Sequence, residues 1–341
     1  MIKKIILILV IVLAALLRFW QLSDYPPHAN WDEASLGYNA YSILTTGRDE
    51  WGQFLPLTFR AFGDYKLPGY IYTSVPFVAA FGLNEFSIRF ASAFFGTLTV
   101  LLVFLLARLL TRKYSLATIA AFLLAISPWH VFLSRIALEA NLALFFLVLG
   151  IFLFVKFITQ FENRIAPQLI LLIACPLSLV AALYTYNSAR VVVPLLVLLL
   201  AANYYSLLKK LKKQLVLMLV LLVVLSVPAF SLAIKQDSSA RYRWTAILDE
   251  GATNFINESR RTSAYPTPLK ELVYNKITYT LPRVVAGYLS HFSPDFLYFK
   301  GGSNFQFNIP GFGLFYPLEM PFLVLGVMVA FWQKSPWRWL L

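Results

Sequence analysis

Long apolar runs alternate with short polar breaks along this chain, and the runs carry its architecture. A membrane-spanning helix needs about 20 mostly apolar residues. Segments 5–22, 90–110, 115–134, 138–158, 168–186, 191–208, 214–234 and 313–332 fit that requirement and predict eight spanning helices. A further apolar stretch, 68–82, is short and carries Pro68 and Pro76. Within 30–52, Leu36, Ala40, Ile43 and Leu44 recur at helical spacing, which predicts an amphipathic helix lying on the membrane. Asp32 falls at its N-terminal end, where a helix cap belongs, with Glu33 in its first turn. The opening run follows Lys3 and Lys4 and meets no small-x-small cleavage site before Trp20, so it reads as a retained signal-anchor helix.

Composition agrees with the pattern. Of 341 residues, 59% are hydrophobic and 13% charged, against about 25% charged in an ordinary soluble domain. The fold class expected is an all-α polytopic membrane protein, one domain over 1–341, rather than two soluble domains. The single cysteine, Cys175, lies in an apolar run and excludes an intrachain disulfide. A formal charge of +13 would suggest nucleic acid in a soluble protein; in a membrane protein it reflects cationic cytoplasmic loops, and no nucleic-acid partner is expected.

Charge also orients the chain. If 68–82 does not span and the N-terminus is cytoplasmic, the cytoplasmic side receives Arg108, Arg112, Lys113, Lys156, Arg164, Lys209, Lys210, Lys212, Lys213, Lys334 and Arg338, while the short outer loops hold Arg135 and Arg190. If it spans, the LKKLKK run faces outward, against the positive-inside rule. Segment 68–82 is therefore expected as an outer juxtamembrane helix. Two large outer segments follow, 23–89 and 235–312. Every acid except Glu162 then lies in the outer loops or outer helix ends, as do His28, His130 and His291. Any chemistry is expected on the outer face of the cytoplasmic membrane.

Several outer groups are candidates. Asp32 and Glu33 follow the first helix; Asp64 and Lys66 lead into 68–82; Arg89 opens the second span. Arg135 and Glu139 stand one helical turn apart between two spans and are read either as a structural pair or as functional groups. Tyr186 and Arg190 occupy a short turn, and His291 and Asp295 lie in the aromatic, Gly- and Pro-rich stretch 289–313, which reads as an ordered loop or lid. A guanidinium fork suits phosphate oxygens, and Lys66 could meet a lipid phosphate at headgroup depth or simply snorkel to headgroups. No tight zinc-type ligand spacing appears, so no cofactor is expected and a divalent metal stays open without being favoured.

The order of these features resembles a known family. An outer DE pair after the first helix, Lys66-Leu67-Pro68, NEFSIRFASA and SPWHVFLSR together are similar to glycosyltransferase family 39, whose relatives include the protein O-mannosyltransferases and the lipid A aminoarabinose transferases. The likeness covers residues 1–210 well and the remainder in outline. It implies a GT-C-like bundle and a sugar donor joined to polyprenyl phosphate. It implies Asp32 as catalytic base with Glu33 its companion, Arg89 as the family's arginine, and Glu139 as the nearest match to a second acid. Many members carry that second acid one position later, where Ala140 stands here, and the family's lysine-proline-proline is broken by Leu67. Members often run longer, so the chain reads as either a short or a truncated one.

The resulting expectation is an inverting transferase moving a sugar from a polyprenyl-phosphate donor to a hydroxyl of a glycan, lipid or protein, with membrane lipids around it. Asp32, Glu33 and Glu139 are the candidate catalytic groups. Lys66, Arg89, Arg135 and Arg190 are the candidate phosphate ligands, and Asp64, Tyr186, His291 and Asp295 line the substrate. The rivals are a transporter or flippase of lipid-linked sugars, which predicts charges in mid-membrane and broken helices in repeat-related positions, and an inactive lipid-phosphate-binding scaffold.

Overall fold

The computed structural model describes residues 2–163, 168–235 and 246–332. Arg164, Lys334 and Arg338, which entered the orientation argument, lie outside the described residues. The first half of the fold comprises α1 (Ile2–Phe19), α2 (Trp31–Thr46), a hairpin of β1 (Phe59–Ala61) and β2 (Asp64–Lys66), α3 (Pro68–Phe81), α4 (Glu85–Thr111), α5 (Tyr114–Ile126), α6 (Pro128–Ser134) and α7 (Glu139–Glu162). The second half comprises α8 (Leu169–Leu183), α9 (Ala189–Asn203), α10 (Tyr205–Leu208), α11 (Lys212–Lys235), α12 (Glu250–Thr262), α13 (Thr267–Val273), α14 (Lys276–Ser290) and α15 (Glu319–Trp332).

Apolar helices stand at each of the eight expected places, but they differ in length. Among the described residues α4, α7 and residues 213–231 of α11 are long and apolar enough to cross a membrane, and α5 with α6 adds a fourth if the bent pair counts as one span. Helices α8, α9 and α15 are apolar but only 14 or 15 residues long. The run 115–134, expected as one helix, breaks by 60° between Ile126 and Pro128. The cause is local: proline disfavours the helical conformation at the residue before it, and Ser127 is extended at ψ 124°.

Two layers follow from the packing. In the bundle, α1, α4 and α5 meet through Val10, Ala14, Val100, Ala117 and Ala121, small side chains that let helices approach closely. Over it, α2 and α3 pack on α4 and α7 through Leu36, Ala40, Ile43, Tyr70, Ile71, Val78, Ile88 and Leu142. Leu44, expected on the same face of α2, is exposed. Segment 68–82 is thus a 14-residue helix, with one face buried by protein.

Candidate active site

The start of α2 sets the geometry. Asn30, not Asp32, caps the helix: its side chain accepts the Glu33 N–H at 2.9 Å, and Glu33 returns the bond by accepting the Asn30 N–H at 3.1 Å. This reciprocal box satisfies two otherwise orphaned donors and leaves Asp32 without a capping duty. Asp32 and Glu33 then part company. Asp32 faces a cavity of about 740 Å³, while Glu33 turns inward and is 1% exposed.

Glu33 meets Arg89, which is fully buried, through a two-pronged bond: Nε to Oε1 at 2.9 Å and Nη2 to Oε2 at 3.2 Å. The remaining guanidinium hydrogens reach the carbonyls of Leu22, Pro26 and His28 at 3.1, 2.8 and 2.9 Å. Glu33 Oε1 also accepts the Ala137 N–H at 2.8 Å. A buried ion pair survives only when its other hydrogen-bonding positions are filled, and here they are. Arg89 therefore has no place as a phosphate ligand; it ties the 22–28 loop, α2, α4 and the approach to α7 into one unit. Arg135 is likewise committed elsewhere, donating to the carbonyls of Leu17, Trp20, Gln21 and Tyr25 at 2.8, 2.7, 3.2 and 2.9 Å. Of the two readings left open for Arg135 and Glu139, the structural pair is not formed.

A second local device delivers Lys66. The strands of the hairpin pair Ala61 with Asp64 across the two-residue turn Phe62-Gly63, both at positive φ (48° and 77°), the conformation that matches strand twist in a tight hairpin. Lys66 ends β2 and points its ammonium at the acids. Its Nζ lies 2.7 Å from Asp32 Oδ1 and 3.9 Å from Glu139 Oε1, with the side chain 13% exposed. Burial pulls the Lys66 ammonium down, but the carboxylates of Glu139, Asp32 and Asp64 outweigh it and hold it above the usual lysine value. The lysine is therefore an ammonium at neutral pH, and its charge is lost only as pH rises through that raised value.

The cavity gathers residues from five parts of the chain: Trp31 and Asp32; Asp64, Tyr65 and Lys66; Leu138 and Glu139; Thr185, Tyr186 and Asn187; Gln306 and Phe307. Among the described residues lining it, Lys66 is the only cation. Gln306 Nε2 donates to Asp32 Oδ2 at 3.3 Å, across 274 positions of sequence. Asp32, Glu139, Lys66, Asp64 and Tyr186 are thus brought together as expected. Arg190 does not line the cavity; it donates to the side chain of Asn187, which does, at 2.8 Å.

His291 and Asp295 do not join them. The exposed His291 ring lies 2.6 Å from the Gly287 carbonyl, and Asp295 pairs with Lys300 at 2.7 Å on the surface. The loop 289–313 reaches the site through Gln306 and Phe307 instead. Its later part is pinned near Ser127, where the Trp129 N–H donates to the Leu314 carbonyl at 3.4 Å. Among the described residues no group of three or more His, Cys, Asp and Glu side chains is placed to hold a metal ion.

The apolar helices with α2 and α3 packed over them form a GT-C-like membrane fold, and the paired acid and lysine lie in its cavity. The chain belongs to the family described as dolichyl-phosphate-mannose-protein mannosyltransferase, whose model matches residues 8–238. No curated protein sequence matches it. Among solved structures it is similar to the archaeal oligosaccharyltransferase AglB from Archaeoglobus fulgidus in complex with an inhibitory peptide and a dolichol-phosphate, at 15% identity and a TM-score of 0.59, covering 99% of this chain and 45% of that one. A second structure of the Archaeoglobus fulgidus enzyme, tethered to an acceptor peptide, gives 14% identity and a TM-score of 0.58, covering 98% and 44%. ArnT from Cupriavidus metallidurans bound to undecaprenyl phosphate gives 18% identity and a TM-score of 0.49, covering 83% and 48%. The chain spans less than half the length of each, and at these identities the likeness to the archaeal enzyme is one of fold.

Proposed function

We propose that this protein transfers a sugar from a polyprenyl-phosphate donor to an acceptor hydroxyl, with inversion, at the outer face of the cytoplasmic membrane. The observation that carries the reading is the Asp32–Lys66 pair at 2.7 Å inside the cavity. Cleaving a sugar from a lipid phosphate leaves an anion, and a preorganised cation in a partly desolvated site stabilises it far better than in water. Lys66 supplies that cation. The acceptor O–H must lose its proton as its oxygen attacks the anomeric carbon. Asp32 takes the proton as general base; the bond from the anomeric carbon to the phosphate oxygen breaks as the new C–O bond forms on the opposite face. Glu139 and Asp64 border the same cavity and accept hydroxyls of the sugar or acceptor. Gln306 orients the Asp32 carboxylate. The fixed charges suffice for a monophosphate donor without a divalent metal.

The test is to incubate the purified protein with a radiolabelled polyprenyl-phosphate sugar of known anomer and an extract of membrane glycans, lipids and proteins. Release of polyprenyl phosphate that depends on the extract, with the product anomer opposite to the donor's and unchanged by EDTA, is expected. A product of retained configuration rules out direct displacement, and loss of transfer on chelation assigns part of the charge stabilisation to a metal.

A further inference from the structure

The cation and the base of the proposed reaction are paired with one another. Lys66 Nζ lies 2.7 Å from Asp32 Oδ1, and Asp32 Oδ2 is held by Gln306 at 3.3 Å, so both carboxylate oxygens are engaged. A carboxylate tied to an ammonium is a poor proton acceptor, because the neighbouring cation favours its charged form. It can be set free only if the ammonium is drawn to another anion. Glu139 Oε1 lies 3.9 Å from Nζ, so the lysine's flexible stem has a second anion within reach.

We infer that Lys66 is a donor-responsive latch on Asp32: the donor phosphate and the Asp32 carboxylate compete for one ammonium, and arrival of the phosphate releases the base. This rests on the proposed function and adds an order to it. The donor binds first, and acceptor hydroxyls meet an activated base only when a sugar is in place to receive them. Without donor, Asp32 is silenced by its own cation. The charged groups facing Asp32 are Lys66 and Asp64 from β2 and Glu139 from α7; its chain neighbour Glu33 is turned away into the Arg89 pair.

The latch makes a prediction that the base assignment alone does not. Removing the competitor should strengthen phosphate binding even as it destroys transfer. The probe is the methyl diester of a polyprenyl phosphate, which carries one negative charge at every working pH and no sugar. Its affinity for the full chain in detergent is measured for wild type, Asp32→Asn, Asp64→Asn and Lys66→Met. Asp32→Asn is expected to bind the probe tighter by about fivefold or more, Asp64→Asn by less, and Lys66→Met more weakly than wild type. Equal affinity in Asp32→Asn and wild type overturns the latch, as does an equal gain in Asp64→Asn, which signals a general charge effect.

Transfer assays on Asp32→Asn report separately on the base. Full transfer there defeats the proposed function, whereas abolished transfer with unchanged probe affinity defeats only the latch.

Discussion

Asp32 and Glu33 adjoin in the chain and are chemically alike, yet the rotation of about 100° between neighbours on a helix sends them to different environments. Glu33 is locked to Arg89 with both oxygens filled, so its contribution is to hold the site together. Replacing it by Gln leaves the Arg89 guanidinium buried without its counter-charge, and breaking such a pair costs about 3–5 kcal/mol. Thermal unfolding in detergent should show a marked drop for Glu33→Gln and for Arg89→Met; wild-type stability in either would contradict the strut. The sequence exposes the acid pair but not which acid works. The Asn30-x-x-Glu33 spacing of a capping box was there to be read, and it would have removed Asp32 from the cap and Glu33 from the catalytic set. Gln306 had no such signal, since nothing local reports a contact made 274 residues away.

At the level of elements, the site depends on how α3 is seated. The Gly69 N–H donates to the Tyr184 carbonyl at 2.8 Å, joining the start of α3 to the turn that carries Tyr186 and Asn187. A Cβ on Gly69 would clash with Thr185 Oγ1 and lie 2.8 Å from the Thr185 Cα, so part of the clash is with backbone that cannot rotate away. Gly69→Ala should lose about 1–3 kcal/mol of stability and weaken lipid-phosphate binding, because Lys66 lies three residues upstream. Unchanged unfolding and binding would show that this seating is loose. Apolar periodicity located α2 and α3, but the hairpin that delivers Lys66 escaped it: its strands are three residues each, too short for an alternating pattern. The break before Pro128 was legible from the proline itself, yet the apolar run through it reads as one helix.

Across the whole molecule, the hydropathy pattern locates the helices because burial in lipid is the dominant constraint on a chain this apolar. It says less about their length: the runs at 168–186 and 191–208 hold helices α8 and α9 of only 15 residues each, with Pro176 and Pro194 inside them. Orientation rests on charge alone. It can be checked with an impermeant thiol reagent on intact cells, since Cys175 is buried and gives little background. Phe305→Cys, at a residue 77% exposed beside Gln306, should be labelled, and Lys209→Cys only after the cells are opened. The reverse pattern would put the cavity in the cytoplasm.

The central claim is that Asp32 removes the acceptor proton while Lys66 holds the departing phosphate. Asp32→Asn keeps the shape of the side chain and takes away its basicity. Reconstituted with a labelled polyprenyl-phosphate sugar and acceptor, this variant should insert and unfold like wild type while its rate of transfer falls by about 10²–10⁴-fold. Transfer at the wild-type rate by a folded Asp32→Asn protein would contradict the account.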